Sequence, residues 1–262
     1  MIEISIIDDF ITSEWDNCTH GEKVISVIKK YNAHNNYLLN KFNVGLSEND
    51  IERGVKMSDK VVKALEILST RSPHFILMCL EVEKKNKNAE NIIRLINCLS
   101  LAGYIIVVAK SNHNDNYCIP FCVKDIIHVE GGTYLQNQYN VCDIGDVRFV
   151  FANSFPEFID INGRLTFFAG TSKAAAIVMA NIMNHIQYML NLKSIGAICQ
   201  SLKCEVDLYK YKPVDANIIS NIPEFNLKKI IGNICSNNMI SCVDMDIIGI
   251  CDMLRKMVHE DE

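Results

Sequence analysis

The feature of this sequence that most constrains its fold is an alternation of short β-branched runs with longer amphipathic ones. Strand-like runs occur at residues 2–7, 37–44, 75–80 and 104–109. Segments with the apolar spacing of helices separate them, at residues 22–31, 57–69 and 89–101. Because strands that alternate with helices form parallel sheets covered on both faces, the pattern predicts an α/β, mostly parallel, doubly wound domain. Functional groups in such a sheet gather at the carboxyl ends of the strands.

Further elements are expected beyond residue 120. Residues 126–129 form a strand-like run that we expect to stop at Gly131-Gly132. Residues 148–168 favour strands or a hairpin, with a turn at Asn162-Gly163. Residues 174–190 are small and apolar on most sides, which is typical of a helix through the middle of a domain.

The pattern of apolar and turn-forming residues changes after about residue 193. Short helical pieces there are interrupted by prolines and Asn-rich turns. We therefore expect one domain, large enough to be catalytic, at residues 1–192 and a mainly helical extension at residues 193–262. The many isoleucines of that extension favour packing on the domain over docking of a partner.

Composition argues against several classes of function. The formal net charge is -5 and no dense Lys/Arg run occurs, so a nucleic-acid partner is not expected. No apolar run reaches the roughly 18 residues of a membrane helix, so no membrane partner is expected either. The first residues lack a basic region followed by a long apolar stretch, and the expected location is cytoplasmic.

The 11 cysteines favour buried thiols over disulfides. Without an export signal, cysteines inside apolar segments act as small hydrophobic residues; these are Cys79, Cys98, Cys118, Cys122, Cys142, Cys199, Cys235 and Cys251. No CxxC pair is present, and we expect no metal site and no cofactor.

Four residues whose side chains could take part in catalysis occur in the order Asp8, His20, Asn112, Ser172. Each has an ordinary interpretation when taken alone. Asp8 at the end of a strand could bind a nucleotide or magnesium in a doubly wound protein. His20 beside a glycine is commonly a surface or capping residue, Asn112 lies in a turn-like run, and a Gly-Thr-Ser sequence is common. Their joint order carries more information, because Asp, His, Ser is one of the known orders of a serine-hydrolase triad.

The local sequences around these residues resemble the subtilisin-like serine peptidases. Residues 4–8 resemble the aspartate-bearing strand of that family, and residues 20–24 (HGEKV) resemble the start of its HGTHVAG helix. Residues 106–112 (IVVAKSN) resemble its VVAAAGN segment, and residues 170–176 (GTSKAAA) resemble GTSMASP. The resemblance extends over about residues 2–190.

This resemblance implies a role for each of the four residues. Ser172 would be the nucleophile, His20 the general base and acid, and Asp8 the group that orients the imidazole. Asn112 and the backbone amide of Ser172 would stabilise the oxyanion. The implied activity is that of a subtilisin-type serine endopeptidase acting on a peptide or protein substrate.

The sequence also departs from the family pattern close to the triad. Asp8 is followed by a second acid, Asp9, which we expect to face solvent. Lys23 replaces the second histidine of the HGTH motif. Asp8 and His20 are separated by a short connection, which implies loss of a surface loop and of any calcium site that it would carry.

Expected substrate-binding residues depart from the family pattern as well. Lys110 and Ser111 stand where small residues line the specificity pocket of the family, and Glu81 follows Leu80 where glycine is usual. Side chains at these places narrow the cleft or add charge, so we expect a selective peptidase in which Glu81 or Lys110 recognises a charged substrate position.

Three functions remain in competition at this stage. The first is a selective intracellular processing peptidase, for which removal of leader peptides from ribosomally made peptides is one example, since no pro-region precedes the first strand. The second is an inactive subtilisin-like binding or scaffold protein, favoured by the altered cleft. A nucleotide-binding doubly wound protein is third, and it lacks a GxGxxG or Walker loop.

Overall fold

The computed structural model describes residues 2–12, 17–34, 36–111, 118–120, 123, 126–132, 140–144 and 147–202, with the backbone alone for 140–144, 147–149, 185 and 188–202. The strands are β1 Ile2–Asp8, β2 Tyr37–Asn43, β3 Phe75–Met78, β4 Val82–Glu83, β5 Ile105–Ala109, β6 Cys118–Ile119, β7 Ile127–Gly132, β8 Asn140–Ile144, β9 Val147–Asn153, β10 Glu157–Ile161 and β11 Arg164–Phe168. The helices are α1 His20–Tyr31, α2 Glu48–Glu52, α3 Met57–Ser69, α4 Ala89–Ala102 and α5 Thr171–Leu202.

A seven-stranded sheet forms the centre, in the order β2-β1-β3-β5-β7-β9-β8. Strands β2 through β9 in this order pair in parallel, and β8 pairs with β9 in the antiparallel direction. The predicted α/β, mostly parallel sheet is therefore confirmed. Because β2 and β3 lie on opposite sides of β1, the chain reverses its winding direction at β1, and a crevice is expected at the carboxyl ends of β1 and β3.

Two apolar clusters cover the two faces of the sheet. One lies between the sheet and helices α1 and α5, and the other lies between the sheet and helices α3 and α4. Strand β1 contributes to both, since Ile4 and Ile6 belong to the first cluster and Ile7 to the second. This two-sided burial explains why the strand reads as an almost continuous apolar run.

Helix α5 passes through the first cluster. Its residues from Ala174 to Ala180 are fully buried, and α5 contacts α1 as well as strands β5, β7 and β9. The small alanine side chains allow this close approach of the helix to the sheet. The helix runs on without a break past residues 192 and 193.

The hairpin of β10 and β11 is stabilised by the turn that the sequence predicts. Asn162 and Gly163 both have positive φ, 55° and 82°, which asparagine and glycine adopt most easily. The hairpin packs on α1, where the hydroxyl of Ser26 donates to the carbonyl of Asp160. The hairpin therefore contacts α1 through β10.

Several boundaries differ from the predictions. Strand β3 ends at Met78, so Leu80 and Glu81 follow the strand, and β7 continues through Gly131 and Gly132, where we expected it to stop. Pairing of both glycines with β9 explains the second difference. Cys98 is exposed, contrary to the expectation of a buried thiol, because it lies on the outer face of α4, and Cys118 is buried as expected.

Helix α1 begins with a capping box. The hydroxyl of Thr19 accepts a hydrogen bond from the Glu22 amide at 3.1 Å, and the Glu22 carboxylate accepts one from the Thr19 amide at 2.9 Å. These bonds satisfy two amides that a helix start otherwise leaves unpaired. They also fix His20, the first residue of α1, at the edge of the sheet.

We predict that Thr19→Ala lowers the free energy of unfolding by about 1 kcal/mol, because the cap of α1 is lost. Urea unfolding followed by circular dichroism measures the change. Thr70→Ala is the control, since Thr70 is an exposed threonine directly after the C-terminal end of α3. We expect a change within about 0.5 kcal/mol there. Equal losses in the two variants would contradict this role of Thr19.

Candidate functional site

A cleft of about 240 Å³ opens at the carboxyl edge of the sheet. The residues after β3 and at the end of β5 meet there with the first residue of α1 and the first turn of α5. Its lining residues are His20, Cys79, Leu80, Glu81, Ala109, Lys110, Ser111, Thr171 and Ser172. Six of the residues singled out in the sequence therefore border one cavity, namely His20, Leu80, Glu81, Lys110, Ser111 and Ser172.

Asp8 is not part of the cleft lining, but it binds His20, which is. Its carboxylate Oδ1 accepts a hydrogen bond from His20 Nδ1 at 2.7 Å and a second from the Asp9 amide at 2.7 Å. Asp8 is only 1% exposed, whereas the His20 side chain is 38% exposed. Because Nδ1 donates to the carboxylate, Nε2 is left as the nitrogen that can accept a proton.

The chain that follows β1 brings α1 to Asp8. The Gly21 amide donates to the Asp9 carbonyl at 2.8 Å, and the ring of Phe10 lies against Gly21. A Cβ atom at Gly21 would meet that ring at 2.4 Å, so with any larger residue either the ring of Phe10 or the start of α1 must shift. The start of α1 therefore packs directly on residues that follow Asp8.

Asp9 does not share the environment of Asp8. Its side chain is exposed, as expected from the sequence, and its Oδ1 accepts a hydrogen bond from the Ile11 amide at 2.8 Å. The second acid of the Asp8-Asp9 pair therefore shapes the loop and leaves the imidazole to Asp8.

Burial and mutual attraction set the ionisation of the Asp8–His20 pair. Burial lowers the pKa of His20, but the hydrogen bond and the negative charge of Asp8 raise it by more, so the pKa of His20 lies above its ordinary value. Burial raises the pKa of Asp8 and outweighs the opposing effect of His20. Oδ2 of Asp8 is buried and has no hydrogen-bond partner among the described residues, which adds to the desolvation of that carboxylate.

Ser172 lies in the first turn of α5. Gly170, with φ of 91°, precedes this turn, and its amide donates to the Ser154 carbonyl at 2.9 Å. The hydroxyl of Thr171 donates to the Lys110 carbonyl at 2.7 Å. These contacts hold the start of α5 against the ends of β5 and β9, so that Ser172 and His20 face the same cleft. Among the described residues, no hydrogen bond joins Ser172 to His20.

One charged residue of the cleft is part of an ion pair. Lys110 Nζ contacts the Glu130 carboxylate at 2.5 Å, and both side chains are 25% exposed. The pair forms because β5 and β7 are parallel neighbours, so residues at their carboxyl ends lie side by side. Glu130 was not singled out in the sequence, and the adjacency of these strand ends is the signal that could have found it.

Three more residues near Ser172 and His20 were not assigned to the site from the sequence. Cys79 lines the cleft, and its thiol donates weakly to the Ser172 carbonyl at 3.8 Å; burial raises the pKa of that thiol well above its usual value. The ring of Phe168 meets the His20 ring edge to face, with centroids 5.5 Å apart. Lys173 is 1% exposed. Cys79 and Lys173 carried a signal, since Cys79 directly precedes Leu80 and Lys173 directly follows Ser172.

Two of the predictions concern residues outside the part of the chain that the structure describes. Asn112, the expected oxyanion donor, lies outside that part, as does the extension after residue 202. Within the described part of the chain, no cluster of three or more potential metal ligands occurs. None of the helices in that part is long and apolar enough to cross a membrane.

We predict that the pKa of His20, measured by NMR of the imidazole nitrogens, lies above its ordinary value of about 6.5. Asp8→Asn removes the charge that favours the imidazolium, and burial alone then lowers the pKa below that value. Asp9→Asn is the control, and we expect a much smaller decrease because Asp9 contributes least to the shift. A His20 pKa that does not change in Asp8→Asn would contradict the coupling.

Comparison with known proteins identifies the fold but no sequence family. No family model matches the sequence, and no curated protein matches it significantly. A cold-adapted subtilisin-like serine proteinase matches with 14% identity and a TM-score of 0.52 over 71% of this chain and 75% of that chain. The PatG macrocyclase in complex with peptide matches with 12% identity and a TM-score of 0.46, over 69% of this chain and 74% of that chain. The chain therefore has the fold of the subtilisin-like serine proteinases.

Proposed function

We propose that this protein is a serine endopeptidase in which Asp8, His20 and Ser172 form the catalytic triad. The observation that carries the proposal is the 2.7 Å hydrogen bond from His20 to the buried Asp8, at a cleft that Ser172 also lines. An oriented imidazole beside a hydroxyl is the arrangement that activates a serine nucleophile.

The proposed reaction proceeds in two halves. The hydroxyl of Ser172 attacks the scissile carbonyl while His20 Nε2 takes its proton, and His20 then returns that proton to the leaving amine. Water then attacks the resulting acyl-enzyme while His20 Nε2 takes a proton from that water. His20 returns that proton to the hydroxyl oxygen of Ser172 as the acid product leaves. Asp8 keeps the proton on Nδ1 and stabilises the imidazolium that forms in each half.

Two donors are proposed for the oxyanion. The amide of Ser172 is one of the first N–H groups of α5, which have no acceptor within the helix, and the positive end of the helix dipole lies at the same place. The side chain of Asn112 is the second proposed donor, by its resemblance to the family's oxyanion asparagine.

The cleft chemistry supports selective processing over general digestion. Lys110 and Glu81 put two charged side chains in the cleft wall, with Leu80 and Ser111 as further proposed substrate-binding residues. Lys110 is already paired with Glu130, so an acidic substrate side chain gains its contact only in competition with that carboxylate. Such a cleft suits the cytoplasmic trimming of a particular peptide or precursor, including removal of a leader peptide.

One observation favours the alternative of an inactive binding protein. Ser172 and His20 share the cleft without a hydrogen bond between them. Catalytic hydrogen bonds are commonly long in the absence of substrate and tighten in the reacting complex. The two functions are therefore separated by the reactivity of Ser172.

We predict that a fluorophosphonate probe labels the protein at Ser172 and that labelling is lost in Ser172→Ala. The rate should rise with pH through the pKa of His20, because the protonated imidazole cannot accept the serine proton. Intact-mass spectrometry measures the adduct. Ser69→Ala is the control, since it removes an exposed serine at the end of α3, away from the cleft lining, and should leave the adduct in place. Folded wild-type protein that stays unlabelled would favour the inactive binding protein.

We also predict that cleavage of a peptide library depends on charge at one substrate position. Lys110→Gln should reduce the preference for an acidic residue there several-fold, because hydrogen bonds to charged groups contribute roughly 1.5–3 kcal/mol and competition from the Glu130 carboxylate offsets part of that gain. Lys63→Gln, an exposed lysine of α3, is the matched control and should leave the profile unchanged. A wild-type profile that is indifferent to charge would refute the selective cleft.

A further inference from the structure

The residue that directly follows Ser172 is a buried lysine. Lys173 is 1% exposed, although lysine is almost never fully buried unless its charge is paired. It lies in the first turn of α5, but its side chain is not part of the cleft lining. The amino group therefore does not act on a substrate in the cleft, and its role has to be found among its partners.

Three oxygen atoms from one short segment surround that amino group. Lys173 Nζ donates to the Phe155 carbonyl at 2.6 Å and to Asn153 Oδ1 at 3.3 Å, and it lies 3.6 Å from Glu157 Oε1. Asn153 Oδ1 also accepts a hydrogen bond from the Phe155 amide at 2.9 Å, which fixes the acceptor itself. The end of β9 and the start of β10 thus form a cradle for the ammonium group.

The second carboxylate oxygen of Glu157 connects this cradle to α1. Oε2 accepts a hydrogen bond from the hydroxyl of Tyr31 at 2.9 Å and one from Lys30 Nζ at 3.1 Å. Lys30 and Tyr31 lie in the last turn of α1, the helix that begins with His20. One carboxylate therefore joins the helix that carries Ser172 to the helix that carries His20.

We propose that Lys173 and Glu157 are positioning residues that fix Ser172 relative to His20, an inference that rests on the proposed peptidase function. Ser172 lies between two anchored neighbours. On one side, the Thr171 hydroxyl bonds the Lys110 carbonyl at the end of β5. On the other side, Lys173 ties the same turn to the segment between β9 and β10. The nucleophile is thereby restrained from both directions without a contact to its own hydroxyl.

Stability alone gives a poor reason for this ion pair. Desolvation of two buried charges commonly costs as much as their attraction returns, and apolar residues of similar volume serve equally well or better. A methionine would fill the space of the Lys173 stem in the packed turn. What an apolar side chain does not supply is the directional bond to the Phe155 carbonyl, which sets the position of the turn.

The test compares labelling rates of folded variants with the fluorophosphonate probe. Lys173→Met should slow labelling of Ser172 roughly 10- to 100-fold, because displacement of a reacting group by about 1 Å can cost about 10²-fold. The midpoint of the pH dependence should stay at its wild-type value, since Lys173 is not among the groups that shift the pKa of His20. The double variant with Lys173→Met and Glu157→Gln should be slow as well, and it leaves no unpaired carboxylate if the single variant fails to fold.

Lys29→Met is the matched control. Lys29 is an exposed lysine in the last turn of α1 that does not take part in the link through Glu157, and labelling should keep its wild-type rate. Wild-type labelling rates in the lysine 173 variants, or an equal loss in Lys29→Met, would overturn the positioning role while the peptidase function stands.

Hydrogen exchange of residues 174–176, the first amides of α5 that have backbone acceptors, separates failure of this inference from failure of the peptidase proposal. Lys173→Met should lower the protection of these amides, and Lys29→Met should not. If the wild-type protein is never labelled, the peptidase function fails and the catalytic meaning of the restraint fails with it. Equal exchange in the two variants would overturn the restraint itself.

Discussion

The hydrogen bond between Asp8 and His20 depends on almost every layer of the fold. It needs a first strand buried on both faces, so that the carboxylate at its end is held away from water. It also needs a helix that starts at His20, which the cap of Thr19 and the contact of Phe10 with Gly21 provide. Removal from water strengthens the attraction between carboxylate and imidazole. Burial raises the pKa of Asp8, whereas the hydrogen bond and charge of Asp8 raise the pKa of His20 against the opposing effect of burial.

The sequence was sufficient to predict the layers and most of the cleft. Periodicity predicted the parallel sheet because apolar runs of period two and of period 3.6 bury different surfaces, and the bounds of α3 match the prediction. His20, Leu80, Glu81, Lys110, Ser111 and Ser172 line one cavity because their elements end or begin at the same edge. The catalytic roles of Asp8, His20 and Ser172, and the role of Asn112, stay predictions.

What the sequence could not provide are contacts between segments that are distant in the chain. The partner of Lys110 is Glu130, and the partners of Lys173 are Asn153, Phe155 and Glu157; none follows from a local pattern. From the sequence alone, Lys173 cannot be distinguished from a surface lysine. Its burial follows only from the position of α5 next to β9 and β10. Strand adjacency and helix packing decide which charges become neighbours, and both are properties of the whole fold.

The use of the first strand and the last described helix for one cleft has a consequence for biosynthesis. Asp8 and His20 leave the ribosome early, whereas Ser172 follows only after the entire central sheet has been made. Domains generally fold as units, and contacts of such high sequence separation form late. If Ser172 is the nucleophile, a nascent chain cannot cut its neighbours or itself before its sheet is complete, and order of synthesis alone delays the onset of proteolysis.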